Sequence, residues 1–356
     1  MTAPQPRPNV AAIPTYVAGK PPSVRPGMTS YKLSSNENPY PPLPGVVEAA
    51  HRAVDVMNRY PDMGNAALYE ALATRLGVPV GDLAAATGSV ALIYQLLTAY
   101  CEPGDEVVHA WRSFEAYPIA IAAAAATSVP VPVTADGRHD LEAMLSAIGP
   151  RTRCVLVCTP NNPTGPAVAQ AELDGFLARV PDDVLVVVDE AYVEFVRMED
   201  GVDGIATYRS HANVVLFRTF SKAYGLAGFR VGYAVAQEPV AAALRAVSLP
   251  FGVSGVAQAA AIASLEAEAA LLERVEALVV ERARVVEGLR AAGWEVPEPQ
   301  GNFVWFALGD RTADFAAAAD ELGIVVRPFA GEGARVSIGE DEANDRLLEL
   351  ARTFPR

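Results

Sequence analysis

One lysine lies in a mid-chain segment rich in hydroxyl and guanidinium groups. Lys222 is one of only three lysines in 356 residues, and it belongs to the run TFSKAYGLAGFR at 219–230. An amine can lose its proton and react with a carbonyl, whereas a guanidinium stays protonated, so a lysine in a chain that otherwise uses arginine indicates amine chemistry. Thr219, Ser221 and Arg230 around it could bind a phosphate. The alternative is that Lys222 is an ordinary solvated loop residue.

Polar residues also follow apolar runs, where strands are expected to end. Asp189 ends the run VLVVVD, where an unpaired buried carboxylate would be costly, so a cationic partner is expected. Tyr192 follows three residues later with a phenol, and Asn162 in TPNNPTG offers an amide after CVLVC. ATGSVALIYQLL passes from strand to helix through Gly88 and Ser89, which leaves free backbone donors at the positive end of a helix and suits a phosphate.

Each of these features also has an ordinary explanation. Gly-Ser before a helix is usually a cap, NNPTG can be a plain turn, and Asp189 can cap the helix that follows its strand. Together, however, they describe one ligand, with a phosphate, a ring cation for Asp189, a ring oxygen for Asn162 and Tyr192, and an aldehyde for Lys222. Pyridoxal 5'-phosphate carries all four groups.

The composition restricts the kind of partner. The net charge is −14 and the chain has no basic stripe, which disfavours nucleic acids and anionic membranes and favours small molecules. Cys101, Cys154 and Cys158 match no zinc or redox spacing and the histidines are scattered, so we expect no metal and a reducing, cytoplasmic setting. The N-terminus shows no signal pattern, and the alanine-rich run at 119–126 is too short to span a bilayer.

The residues described above need a fold that brings strand ends together. Continuous valine-rich runs indicate burial on both faces, which is typical of an α/β fold with a mainly parallel sheet covered by helices. Ligands then bind at the carboxyl ends of the strands. Helical patterns, for example at 70–76 and 90–100, fill several of the intervals between the predicted strands. Seven strands are predicted between residues 84 and 235, in LAAATG, EVVHAW, VPVPV, CVLVC, VLVVVDEA, VVLFRTF and VGYAVA.

The chain divides into an arm and two domains by its pattern. Residues 1–40 are rich in Pro, Ser and Asn and lack a core pattern, so they predict an arm that lies on the body or on a partner subunit. Residues 41–245 predict the large domain. Residues 246–356 predict a smaller α+β domain, with a long helix over 255–292, the segments NFVWFAL, IVVRPF and RVSIG, a helix near 313–322 and a closing helix.

Six motifs, in the order SSNENPYPP, RYPD, NNPTG, DEAY, SKAYGLAGFR and RVSIG, resemble the histidinol-phosphate aminotransferase family of fold-type I pyridoxal-phosphate enzymes. The resemblance runs from about residue 16 to residue 335 and beyond, which is essentially the whole chain. It implies a large domain with a seven-stranded, mainly parallel sheet, a smaller α+β domain, pyridoxal phosphate as cofactor, and a homodimer with composite active sites.

The resemblance also implies a role for individual residues. Lys222 bonds covalently to the cofactor aldehyde and later moves the substrate proton, and Asp189 pairs with the pyridine nitrogen. Asn162 and Tyr192 hydrogen-bond the ring oxygen, while Phe114, in WRSFEAYP, stacks on the ring face. Further cofactor-binding residues are Gly88, Ser89, Val90, Thr219, Ser221, Arg230 and, from the other subunit, Tyr60.

Substrate-binding residues are implied in the same way. Arg335, in ARVSIG, matches the arginine that binds the substrate anion, and its planar fork suits a carboxylate or phosphate. Arg327, in VVRPF, and Tyr16, in IPTYVAGK, match residues that help to bind a substrate phosphate. Asn36, in SSNENPY, completes the substrate-binding set. The alternative for Arg327 is an exposed loop charge.

Two donors are compatible with these motifs. Many family members carry an acidic pair after Gly88-Ser89, whereas Val90-Ala91 follow here, as in the branch that resembles aromatic amino acid aminotransferases, and WRSFEAYP is similar to that branch. We therefore predict ping-pong transfer of an amino group between an aromatic L-amino acid and 2-oxoglutarate, with histidinol phosphate as the alternative donor. A pyridoxal-phosphate-dependent decarboxylase is more remote. A cofactor-binding transcriptional regulator is disfavoured because only about thirty residues precede SSNENPY.

Overall fold

The computed structural model describes residues 3–13, 16, 19–22 and 25–355. The strands are β1 (Tyr31–Lys32), β2 (Leu83–Ala86), β3 (Glu106–Trp111), β4 (Thr127–Pro132), β5 (Thr152–Cys158), β6 (Leu185–Asp189), β7 (Val214–Thr219), β8 (Gly232–Val235), β9 (Phe303–Ala307), β10 (Ile324–Val325), β11 (Arg327–Phe329) and β12 (Gly333–Ser337). The α-helices are α1 (Pro8–Ala11), α2 (Val46–Val54), α3 (Ala66–Leu76), α4 (Ser89–Tyr100), α5 (Ala116–Ala123), α6 (Leu141–Ser146), α7 (Gln170–Leu177), α8 (Gly204–Ser210), α9 (Glu238–Ala246), α10 (Gly255–Glu266), α11 (Glu268–Ala291), α12 (Thr312–Glu321) and α13 (Asp341–Thr353).

The central sheet has seven strands in the order β2-β8-β7-β6-β5-β3-β4. Strand β8 runs antiparallel to both of its neighbours, and the other adjacent pairs are parallel. This confirms the predicted α/β fold with a mainly parallel seven-stranded sheet.

Strand β6 shows why the sheet is buried on both faces. All five of its residues are buried. Val186 and Val188 pack into one hydrophobic core, while Leu185 and Val187 pack into the other, on the opposite face of the sheet. Alternation along the strand places Asp189 on the same face as Val187, at the carboxyl end of the sheet.

A second, antiparallel sheet has the order β11-β12-β9. The predicted segment IVVRPF therefore forms two strands in different sheets, because β10 pairs instead with β1, in parallel. This pairing attaches part of the predicted N-terminal arm to the C-terminal region. The division into residues 1–40, 41–245 and 246–356 stays a prediction.

The single long helix predicted over 255–292 is wrong. The segment forms α10 and α11, with a bend of 81° between them. Helix α10 is rich in buried alanine and packs against α2 and α3, whereas α11 packs against α13. The two halves thus pack against different neighbours, and the bend directs each half toward its own, which the nearly continuous helical pattern of the sequence does not indicate.

Two sequence predictions concern a membrane-spanning segment and a metal site, and both can be compared with the described residues. Among the described residues, no single helix is both long and apolar enough to cross a bilayer, and only the bent pair α10–α11, taken together, meets the criteria of length and composition. Within the same part of the chain, no cluster of three or more His, Cys, Asp or Glu side chains could hold a metal ion.

Candidate active site

A cavity lies where strands β5, β6 and β7 end, between the central sheet and the small antiparallel sheet. Cys158, Asp189 and Thr219, the last residues of those three strands, lie on its wall. The opposite wall includes residues of β11 and β12. Most of the predicted site residues line this cavity, namely Tyr16, Ser89, Val90, Phe114, Asn162, Asp189, Tyr192, Thr219, Ser221, Lys222, Arg230, Arg327 and Arg335.

Lys222 points into the cavity rather than into solvent. Its Nζ donates a hydrogen bond to the carbonyl oxygen of Ser35 at 2.9 Å. Burial, together with the positive charge of Arg335, lowers the pKa of the Lys222 amine from 10.5 to about 7. A large fraction of this amine is therefore neutral near pH 7 and can act as a nucleophile or a base.

Asp189 is a buried carboxylate with one oxygen left for a ligand. Its Oδ2 accepts a hydrogen bond from the Tyr117 hydroxyl at 2.8 Å. Its Oδ1 is buried and has no hydrogen-bond partner among the described residues. Burial raises the pKa of Asp189 from 3.8 to about 6. A buried oxygen of this kind needs a donor, and a protonated pyridine nitrogen supplies both a proton and a positive charge.

Ser89, Thr219, Ser221 and Arg230, which all line the cavity, form a set of possible phosphate donors. Helix α4 begins at Ser89 without a side-chain cap, so its first N–H groups can bind an anion. Gly88 precedes it with φ +84°, and a Cβ at this position would come within 2.6 Å of Arg230 Nη2, so glycine lets the guanidinium lie against the helix. Arg230 Nη1 lies 3.4 Å from Ser221 Oγ, and the Ser221 N–H donates to Thr219 Oγ1 at 3.1 Å.

Residues predicted to contact the cofactor ring, namely Tyr192, Asn162 and Phe114, also line the cavity. The Tyr192 hydroxyl accepts a hydrogen bond from Asn36 Nδ2 at 3.0 Å, and burial raises the pKa of this phenol, so it keeps its proton for donation. Asn162 accepts a hydrogen bond from Arg335 through Oδ1. The ring of Phe114 meets that of Tyr117 edge to face, with 5.6 Å between centroids. Asn36 lies behind Tyr192 and is not on the cavity wall, so its substrate contact stays a prediction.

Two arginines form the side of the cavity that belongs to the small sheet. Arg335 is buried and donates to Asn162 and to the carbonyl oxygen of Ser34, while its Nε has no partner among the described residues. Arg327 is also buried, so the alternative of an exposed loop charge is wrong. Its Nη2 forms an ion pair of 2.7 Å with Glu115.

Two predicted tyrosines lie away from the cavity centre. Tyr16 is half exposed and lies on the cavity wall. Tyr60 is 82% exposed, does not line the cavity of its own chain, and stacks on Phe251 with 4.5 Å between ring centroids. A role for Tyr60 in this cavity therefore requires a second subunit and stays a prediction.

Sequence reasoning missed three contributors to the site. Tyr117 and Glu115 lie within the quoted motif WRSFEAYP but were not singled out, although Tyr117 follows Phe114 at helical i, i+3 spacing. The third is Ser35, whose backbone carbonyl oxygen accepts the hydrogen bond from Lys222. Because the contact uses the backbone, the identity of the side chain at position 35 does not indicate it.

The sheet order and this arrangement of lysine, acid and phosphate donors define a fold-type I pyridoxal-phosphate-dependent enzyme. The model of the family "Aminotransferase class I and II" matches residues 29–350. The chain belongs to this family, and it is an aminotransferase that uses pyridoxal phosphate.

Named relatives agree with this assignment. The chain is 60% identical over 353 residues to an aromatic amino acid aminotransferase of Streptomyces avermitilis, covering 99% of this chain and 98% of the relative. It is 53% identical over 345 residues to one of Thermobifida fusca, covering 97% and 96%. The crystal structure of histidinol-phosphate aminotransferase from Sinorhizobium meliloti in complex with pyridoxal 5'-phosphate is similar, with a TM-score of 0.87, 28% identity and 99% coverage of both chains.

Proposed function

We propose that this chain transfers the amino group of an aromatic L-amino acid, phenylalanine, tyrosine or tryptophan, to 2-oxoglutarate. The names of its relatives support the aromatic class. One structural observation carries the proposal: of the two buried arginines in the cavity, only Arg335 lacks a carboxylate partner among the described residues. Arg335 thus offers a guanidinium without an ion pair for the α-carboxylate, separate from Arg230 among the phosphate donors, while Phe114 and Phe329 on the cavity wall offer apolar surface.

The residues of the cavity fit the cofactor at four points. Lys222 would hold its aldehyde, and Asp189 its ring nitrogen. Asn162 and Tyr192 would donate to its ring oxygen, with Phe114 against the ring face. The phosphate would be held by Gly88, Ser89, Val90, Thr219, Ser221, Arg230 and, across a dimer, Tyr60 of the partner subunit. When bound, pyridoxal phosphate supplies an aldehyde for the substrate amine and a ring that takes up electrons released at the substrate's Cα.

Lys222 performs the proton transfer in this proposal. Because its pKa is lowered to about 7, its amine is partly neutral at neutral pH and can accept the proton from the substrate's Cα. Asp189 stays ionised when it faces a cation, and this keeps the ring nitrogen protonated. Arg335 binds the α-carboxylate and so fixes the direction in which the Cα proton points. A keto acid that enters after the first product has left would use the same contacts, which is a ping-pong scheme.

We also propose a cytoplasmic homodimer. Tyr60 stacks on Phe251, which lines a surface pocket together with Met63 and Leu249, and the exposed fractions of Tyr60, Met63 and Leu249 are 82%, 60% and 71%. Apolar surface of this kind is typical of a protein interface. The three cysteines are free, which fits a reducing compartment.

The test is product identification with purified enzyme, L-phenylalanine and 2-oxoglutarate. Equal amounts of phenylpyruvate and glutamate are expected, with Lys222→Ala forming neither. Release of carbon dioxide and phenylethylamine instead would contradict the proposal and favour a decarboxylase.

A further inference from the structure

The two cavity arginines lie directly opposite each other on neighbouring strands. Arg327 of β11 pairs in register with Arg335 of antiparallel β12. Opposite residues of such a pair project from the same face of the sheet, so the two guanidinium groups belong to one region of the cavity. Two adjacent cations without counter-charge would form a site suited to a dianion, such as a phosphate monoester.

Glu115 changes the charge of that region. Its Oε2 lies 2.7 Å from Arg327 Nη2, and the exposed fractions of the two side chains are 28% and 7%. Glu115 comes directly before α5 with helical backbone angles, and it also lies on the cavity wall. The start of α5 therefore places Glu115 at the cavity, where its ion pair with Arg327 leaves the two arginines with a net charge of one instead of two.

We propose that Glu115 is a specificity-determining residue, which closes the second anion site of the substrate pocket by its ion pair with Arg327. This inference rests on the proposed function and explains how the pocket would accept one carboxylate plus an apolar side chain. A donor with a side-chain phosphate, close to a dianion at neutral pH, would have to approach Arg327 beside the Glu115 carboxylate and would be repelled.

The Glu115 carboxylate would also repel the second carboxylate of 2-oxoglutarate, but more weakly than it repels a phosphate. It carries a single charge, and Glu115 engages only one nitrogen of Arg327, so a carboxylate can still approach the other side of the guanidinium fork. The selectivity is therefore expected to be strongest against dianions.

The test compares Glu115→Gln with a matched control. Glu332→Gln is the control because it also removes a carboxylate that is paired with an arginine, Arg112. Like the Glu115–Arg327 pair, this ion pair joins the segment after β3 to the small antiparallel sheet region, but Glu332 is not on the cavity wall. The holoenzymes are titrated by calorimetry with 3-phosphonopropionate and with 3-phenylpropionate. Both ligands offer a carboxylate to Arg335, and at about pH 8.5, where the second proton of the phosphonate is lost, only the first offers a dianion to Arg327.

In Glu115→Gln the phosphonate is expected to bind about tenfold more tightly than in the wild type, while the affinity for 3-phenylpropionate changes by less than about threefold and Glu332→Gln alters neither. No gain for the phosphonate, an equal gain for both ligands, or the same gain in the control would overturn the proposal. Glu115→Ala is expected to raise the affinity for the phosphonate as well, and this variant replaces Glu115→Gln in the comparison if the glutamine variant does not fold. Phenylalanine turnover by the wild type tests the proposed function separately, and the binding comparison can be read without it.

Discussion

Tyr117 donates a hydrogen bond to Asp189, with 2.8 Å between the phenol oxygen and Oδ2, and both side chains are buried. The bond occupies one carboxylate oxygen and leaves Oδ1 for the ligand. It also lowers the pKa of Asp189 against the larger, opposite effect of burial. In the proposed function Tyr117 is therefore a positioning residue, which would act on the cofactor through Asp189.

The first prediction concerns this bond. Tyr117→Phe removes a donor to the charged form of Asp189, so the pKa of this carboxyl rises and the acidic limb of the kcat/KM profile moves to higher pH. A hydrogen bond to a charged group contributes about 1.5–3 kcal/mol, so kcat at pH 7 should fall by about tenfold or more. A pH profile that coincides with that of the wild type would refute the role of Tyr117.

The second prediction concerns the stability of the cofactor-free protein. The pKa of Lys222 is about 7 in the folded protein and 10.5 ordinarily, so between these pH values the unfolded chain binds more protons than the folded one. The contribution of Lys222 to the free energy of unfolding therefore increases as pH rises through this window, and its burial is most unfavourable below pH 7.

Lys222→Met removes this penalty. At pH 7 the cofactor-free variant should be more stable than the cofactor-free wild type by an amount on the order of a few kcal/mol at most, and the difference should shrink towards pH 10. Urea unfolding of both proteins at the two pH values measures this. A difference that is constant or grows with pH would show that Lys222 is not desolvated.

Some of these features could be predicted from the sequence because they depend on local pattern. The apolar run before Asp189 predicts a buried strand that ends in an acid, and the rarity of lysine identifies Lys222. Contacts between distant segments could not be predicted. Tyr117 and Asp189 are 72 residues apart, and Arg327 and Glu115 are 212 residues apart. No local pattern of residue types in the sequence indicates that either pair is in contact. The bend between α10 and α11 was missed for the same reason.

The third prediction concerns the composite site. In an equimolar mixture of Tyr60→Phe and Lys222→Ala chains, half of the dimers are mixed, and each has one site with both native groups. If each parent is nearly inactive, about a quarter of the wild-type activity per site should return. A mixture of Asp189→Asn and Lys222→Ala is the control, since both residues line the cavity of one chain and no native site can form. Recovery that does not exceed the control would contradict a shared site.

The central claim is that the pocket selects an aromatic side chain over a phosphate. Its most direct test is the ratio of kcat/KM for L-phenylalanine to that for histidinol phosphate, with 2-oxoglutarate as common acceptor, because this ratio measures the difference in transition-state binding. We predict a ratio above about ten in favour of phenylalanine, or about 1.4 kcal/mol. A preference of that size for histidinol phosphate would contradict the account and make the chain a histidinol-phosphate aminotransferase.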